Sequence, residues 1–113
     1  MYENLTSFIP RLQNEQIGIL SYEYADTVYQ FVDTHKSMEL SRYGEILEKA
    51  GIKWASGPML NADVTNLDGE TVMALIVGIL RADRFSEGIF KEFLENRCMS
   101  KWLERLKQID ENN

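Results

Sequence analysis

The sequence predicts an all-α protein, organised as a single helical domain over residues 1–113 with five or six helices. Apolar residues recur every three or four positions along nearly the whole chain, which is the spacing of one face of an α-helix. The 113 residues include only two prolines, so few positions break a helix. Hydrophobic residues make up 44% of a chain whose length suits one domain, enough for one core.

Three helices are predicted in the first half, each with a start and a stop signal. The first carries Pro10 in its first turn, where a missing N–H costs little. Serines are favourable capping residues, glycines end helices readily, and basic side chains suit the negative end of a helix. The predicted starts and ends are Ser7 and Gly18, Ser21 and Lys36, and Ser37 and Gly51.

Residues 52–67 are the least regular segment. Gly57-Pro58 is a strong turn signal, and a short helical turn is predicted near residues 60–66. Several apolar side chains are expected to pin this segment to the core: Trp54, Met59, Leu60, Val64 and Leu67.

A central helix is predicted from about Gly69 to Asp83, with Asp68 as its cap. Residues 72–80 are apolar on all sides, which fits a buried strand or a buried helix. Helix is favoured because a single strand would have no partner in this chain. Gly78 costs about 1 kcal/mol relative to alanine inside a helix, so we expect a neighbour to pack closely there.

Two further helices complete the predicted fold. Ser86 is the expected cap of the first, and Asn96 its end. The second opens near Ser100, and its apolar residues keep helical spacing as far as Ile109.

The densest charge cluster joins the central helix to the next one and contains Arg81, Asp83, Arg84 and Glu87. Two guanidinium groups at a helix start are suited to binding a phosphate or carboxylate. Alternatively, the two acids hold the two arginines in a structural ion-pair network at a tight helix corner. The structural interpretation is favoured, and the anion-binding interpretation stays open.

A basic row lies on the last helix, where Arg97, Lys101 and Arg105 are spaced four residues apart. Residues 97–107 hold four basic residues and Glu104, a local charge of +3. A helix that contacts phosphates has this pattern, and so does a solvated face near a helix end. The whole chain carries a net charge of −6, which disfavours nucleic acid.

Several chemistries are not supported by the residue types present. One histidine, His35, and one cysteine, Cys98, are too few for a zinc finger, a histidine-based metal site or an internal disulfide. His35 is interpreted as a helix-end residue and Cys98 as a small core residue. The spacing of Asp63, Asp68 and Glu70 fits no calcium-binding loop. We therefore expect no catalytic residue, no metal and no cofactor.

The sequence also predicts a cytoplasmic protein. The N-terminal residues lack the basic and apolar regions of a secretion signal. The longest apolar run has nine residues, whereas a membrane span needs about 20.

From about residue 69 onward the sequence resembles an uncharacterised bacterial family of small, mainly helical proteins, classed as a domain of unknown function. The resemblance lies in residues 75–88, an apolar helix that ends in the motif Arg-Ala-Asp-Arg-Phe-Ser-Glu-Gly from Arg81 to Gly88, and in residues 103–106. It implies an all-helical fold and adds Phe85 to the residues of interest. The chain departs from the pattern at Ser86, where a cysteine is expected, and at Asn96-Arg97, where a glycine is expected before the last helix. Asparagine can also adopt a left-handed helix cap, so the same fold is expected.

Three functions follow as hypotheses. The leading one is a non-enzymatic cytoplasmic binding or regulatory module with a protein partner or a second copy. The first alternative is a small enzyme or ligand-binding protein that uses Arg81 and Arg84 for an anionic molecule. The second is nucleic-acid binding through Arg97, Lys101 and Arg105.

Overall fold

The computed structural model describes residues 1–112, and within that range it contains eight α-helices and no strand. The helices are α1 (Glu3–Thr6), α2 (Ile9–Asn14), α3 (Ile17–Thr34), α4 (Tyr43–Lys49), α5 (Ser56–Leu60), α6 (Gly69–Ala82), α7 (Ile89–Glu95) and α8 (Cys98–Glu111). Two 3-10 turns, Lys36–Met38 and Leu40–Arg42, precede α4. The all-α prediction is confirmed. The helix number exceeds five or six because α1 and α5 are single turns.

Helix α6 is the centre of the fold, as predicted. Every residue from Thr71 to Leu80 is buried, and the helix packs against α3, α4, α7 and α8. The side chain of Asp68 accepts a hydrogen bond from the Thr71 N–H at 2.8 Å, which confirms it as the cap. A helix apolar on all sides is stable here because neighbours cover it on every side.

The two ends of the described chain are held together. Helix α1 packs on α8, and the backbone N–H of Tyr2 donates to the Asp110 carboxylate at 2.8 Å. The Tyr2 ring is buried and stacks on Phe31, with ring centroids 5.4 Å apart. These contacts join α1, α3 and α8 around the start of α6.

The first predicted boundaries are partly wrong. Pro10 does lie in the first turn of α2, but Ser7 ends α1 and its hydroxyl donates back to the Asn4 carbonyl at 3.0 Å. Gly18 does not end a helix. It lies in the first turn of α3, which begins one turn earlier than Ser21 because the extended backbone of Gln16 already separates it from α2.

The second predicted boundary region also differs. Ser37 lies in a 3-10 turn rather than capping an α-helix, and Glu39 adopts a left-handed backbone with φ of 52°. This reversal delays the α-helix to Tyr43. Gly51 has φ of 77° after the end of α4, as the prediction of a terminating glycine requires.

The irregular segment contains its helical turn at Ser56–Leu60 rather than near 60–66. Pro58 fits there because the first-turn N–H groups of a helix need no intrahelical acceptor. Met59 is buried as predicted, but Leu60 is 46% exposed and does not pin the segment.

The last helix begins at Cys98, two residues before Ser100, and the Asn96 side-chain oxygen accepts from the Cys98 N–H at 2.9 Å. Asn96 follows the last residue of α7, as predicted. The left-handed residue is Arg97, with φ of 66°, rather than Asn96. Asn96 has a negative φ of −82°, and its side chain caps the next helix. Among the helices of the described chain, none has the length and apolar character needed to cross a membrane.

Candidate interaction site

The corner between α6 and α7 is organised by Asp83. One of its carboxylate oxygens accepts hydrogen bonds from the N–H groups of Gly88, at 3.1 Å, and Phe90, at 3.2 Å. Gly88 has φ of 93°, a conformation that glycine adopts without strain. The expectation that Ser86 caps α7 is wrong, because Gly88 is the residue that precedes the helix and the Asp83 side chain accepts from the Phe90 N–H. The Ile89 N–H donates to the main-chain oxygen of Ser86.

The other charged residues of the corner are not paired with one another. The guanidinium carbon of Arg81 lies 5.6 Å from the centre of the Tyr29 ring, a cation–π contact that holds this half-buried side chain. Arg84 and Glu87 are exposed. Within residues 1–112, Arg81 and Arg84 have no carboxylate within 4.0 Å. The acids therefore do not hold the arginines as the structural interpretation expected.

An open cavity of about 430 Å³ lies beside this corner. Its walls come from the segment before α5, from α5 and α6, and from the α6–α7 corner. The lining residues are mostly apolar: Trp54, Ala55, Ser56, Met59, Ile79, Ala82, Phe85, Ser86 and Ile89.

Trp54 is held at one wall of the cavity. Its indole Nε1 donates a hydrogen bond to the Gly78 carbonyl at 2.9 Å, and its ring meets Tyr43 edge-on at 5.3 Å. A Cβ on Gly78 would lie 3.3 Å from Trp54 Cδ1 and 3.0 Å from Met59 Cε. The predicted close packing at Gly78 is thus confirmed, and it positions two residues that line the cavity.

Phe85 also lines the cavity and is 83% exposed. Trp54 is 40% exposed, whereas Met59 and Ile79 are buried. The cavity therefore has a buried apolar floor and two aromatic rings in contact with water. We call Trp54, Met59, Ile79, Phe85 and Ile89, with the cavity between them, the Phe85 face.

The structure separates the residues singled out from the sequence. Ala82, Phe85 and Ser86 of the Arg81–Gly88 motif line the cavity, whereas Arg81 and Arg84 do not. The sequence predicts only a core role for Trp54, and no sequence signal places it beside Phe85. Phe85 itself carried a signal, since it is the one large apolar residue within a highly charged segment.

The three residues of the basic row on α8 differ in their contacts. Arg105 is half-buried and its Nε donates to the Leu67 carbonyl at 2.9 Å, which ties α8 to the segment before α6. Arg97 and Lys101 are exposed. A second cavity beside Lys101 and Arg105 is also lined by Asp63 and Glu104, so both signs of charge meet there.

The lone histidine and cysteine occupy structural positions. The His35 ring stacks on Phe31 at 3.9 Å between centroids, and its Nδ1 lies 3.0 Å from the Phe31 carbonyl oxygen. Cys98 is buried, and burial raises the pKa of its thiol to about 11. A thiol with this pKa is almost fully protonated near neutral pH and is a poor nucleophile.

Fold and site together define an all-helical protein with an apolar, aromatic-walled cavity at a helix corner. The chain belongs to a family of unknown function, DUF6508, whose model matches residues 2–112. This match covers nearly the whole chain and agrees with the expectation of a domain of unknown function. No curated protein and no solved structure matches the chain.

Proposed function

We propose that this chain is a cytoplasmic, non-enzymatic protein-interaction module and that the Phe85 face is its contact surface. The observation that carries the proposal is Phe85, 83% exposed beside an apolar cavity of about 430 Å³. Fully burying a phenylalanine side chain contributes about 1.5–3 kcal/mol. A partner that covers this ring gains stabilisation that the isolated chain lacks.

The composition of the surface supports a protein partner. Aromatic residues and methionine are enriched in the centres of protein interfaces, and aromatic anchors that fill pockets dominate their binding energies. Trp54 and Phe85 supply the aromatic rings, and Met59 supplies an adaptable floor. The cavity accepts apolar side chains from a partner while the two rings pack against their flanks.

The lining residues also support a non-enzymatic role. Ser56 and Ser86 are the polar side chains among them, and no titratable group belongs to the set. General acid–base catalysis needs such a group within hydrogen-bond reach of the substrate. Shape and apolar contact, rather than proton transfer, are what this cavity offers.

A site-specific photo-crosslinker tests the proposal directly. A benzophenone amino acid in place of Phe85 is expected to give discrete protein adducts in the cells that produce the protein. The same group in place of Lys107, an exposed residue of α8, is the matched control. Ser56→Glu should remove the adducts, since it adds a carboxylate to the apolar cavity wall in the first turn of α5, where a helix tolerates negative charge.

Three results would contradict the proposal. They are no protein adduct from position 85, the same adducts from position 107, or adducts that persist in the Ser56→Glu variant. Circular dichroism of each variant confirms that the helical fold is retained.

Recognition of a small anion is the second candidate. It is favoured by the absence of a carboxylate within 4.0 Å of Arg81 and Arg84 in residues 1–112. Inorganic phosphate would then raise the thermal unfolding temperature of the wild type but not of Arg84→Ala. Equal shifts in sodium phosphate and in sodium chloride of the same ionic strength would exclude it.

A further inference from the structure

We infer that the partner at the Phe85 face is a second copy of this chain, related by a two-fold axis, with each Phe85 inserted into the cavity of the other copy. This inference rests on the proposed function, because it names the occupant of the same surface. It is carried by two properties of the face, its shape and its charge.

The shape is self-complementary. In a two-fold dimer the same patch serves on both subunits, so a protrusion must lie beside a recess that accepts it. Phe85 is an exposed ring at the wall of an apolar cavity large enough for an aromatic side chain. A two-fold rotation about an axis beside the cavity therefore places the Phe85 ring of each copy at the cavity of the other.

The charges beside Phe85 are also self-complementary. Arg84 and Glu87 flank it, both are exposed, and neither forms an ion pair within 4.0 Å in the part of the chain described. A two-fold arrangement places Arg84 opposite the partner subunit's Glu87, and the reverse, which gives two reciprocal ion pairs. A partner with a surface of one sign would satisfy only one of these two groups.

The zero net charge of the α6–α7 corner favours a dimer formed through this corner over one formed through other surfaces. The chain carries a net charge of −6, so two copies repel each other at long range. The corner itself holds Arg81 and Arg84 against Asp83 and Glu87, a sum of zero. Two copies can therefore approach through this corner without the repulsion that acidic surfaces elsewhere would cause.

Charge-reversed variants, studied alone and mixed, test the proposed contacts between Arg84 of one copy and Glu87 of the other. Arg84→Glu and Glu87→Arg are each expected to raise the dimer dissociation constant about tenfold or more, because like charges then face each other twice. An equimolar mixture of the two variants should form a heterodimer, since both contacts become attractive. The double variant Arg84→Glu/Glu87→Arg should restore the homodimer. Sedimentation equilibrium over a concentration series measures all four.

Two controls separate dimer contacts from general effects. Lys107→Glu changes the net charge as Arg84→Glu does, on an exposed position of α8 outside the face, and should leave the dissociation constant unchanged. Phe85→Ser removes the inserted ring and should leave a folded monomer. Circular dichroism establishes folding for every variant.

The outcomes distinguish this inference from the proposed function. A monomeric wild type that still gives Ser56→Glu-sensitive adducts from position 85 would overturn the dimer and leave the interaction module standing. A monomer without adducts would overturn both. A dimer that survives Phe85→Ser, or variants that show no rescue on mixing, would place the contact elsewhere and overturn the inference.

Discussion

The indole Nε1 of Trp54 donates a hydrogen bond to the main-chain oxygen of Gly78, 2.9 Å away, and the missing side chain of Gly78 makes room for the ring. A residue of an irregular segment is thereby attached to the central helix. The contact sets one wall of the cavity, so the stability of α6 and the shape of the Phe85 face depend on the same pair.

Gly78→Ala is expected to lower the free energy of unfolding by about 1 kcal/mol and to move Trp54 outward. A helical alanine gains about 1 kcal/mol over glycine. Its Cβ, however, would lie 3.0 Å from Met59 Cε and 3.3 Å from Trp54 Cδ1, and such overpacking costs about 1–3 kcal/mol. Trp54 emission should shift to the red and become more accessible to acrylamide, while the second tryptophan, Trp102, stays buried.

Gly44→Ala is the matched control for that change. Gly44 lies in α4, and a Cβ there would meet nothing within 4 Å. This substitution should stabilise the protein by up to about 1 kcal/mol without altering Trp54 emission. Equal effects of the two substitutions would show that Trp54 does not restrict Gly78.

Gly69→Ala is expected to destabilise the protein by about 1–3 kcal/mol. The new Cβ would lie 2.7 Å from Tyr2 Cζ, and the Tyr2 ring is held between α6 and Phe31. Urea denaturation of the single variants and of Gly69→Ala in a Tyr2→Ala background measures the coupling. The cost of Gly69→Ala should largely vanish when the ring is absent, and an unchanged cost would refute the clash.

Asp83→Ala is expected to lower the free energy of unfolding by about 1–2 kcal/mol. The reason is that the N–H groups of Gly88 and Phe90, at the start of α7, lose their acceptor. Glu87→Ala, four residues along and exposed, should change the free energy of unfolding by less than about 0.5 kcal/mol in dilute protein. Similar losses for both would mean that Asp83 does not cap α7. Denaturation at low protein concentration keeps any dimer contact out of the comparison.

Alkaline pH should destabilise the fold through Cys98. Burial raises the pKa of its thiol from 9.0 to about 11, so the unfolded chain releases this proton at lower pH than the folded one. The stabilisation from the protonated thiol is fully present below the pKa that the thiol has in the unfolded chain. It is lost as the pH rises through the pKa that the thiol has in the folded chain. Between about pH 8 and about pH 10.5, the Cys98 thiol alone lowers the free energy of unfolding by about 2 kcal/mol.

Cys98→Ala should lose less stability than the wild type over the same interval of pH. Tyr24 and Tyr2 also destabilise the fold when the pH exceeds the ordinary pKa of a phenol, because burial raises the pKa of both side chains. Both proteins should therefore weaken, and the difference between their slopes isolates the thiol. Parallel slopes in urea denaturation across the interval would contradict the assignment.

The all-α class, the central buried helix and the local signals at Asp68, Gly51 and Asn96 follow from the sequence alone. Each of these signals acts within a few residues: a carboxylate reaches the N–H three positions ahead, and a left-handed glycine ends the helix it follows. Gly78 was also interpretable, because a glycine in an apolar helix needs a close neighbour to offset its cost.

The residues that meet at the candidate site are brought together by contacts between helices distant in the sequence. Asp83 caps a helix that begins six residues later because the left-handed turn at Gly88 folds the backbone toward it. Trp54 and Phe85 share a cavity because α5 packs beside the end of α6, and helical periodicity carries no information on such distant contacts. The same long-range packing leaves Arg81 on Tyr29 and Phe85 in water, so the charged motif presents an aromatic ring rather than a pair of guanidinium groups.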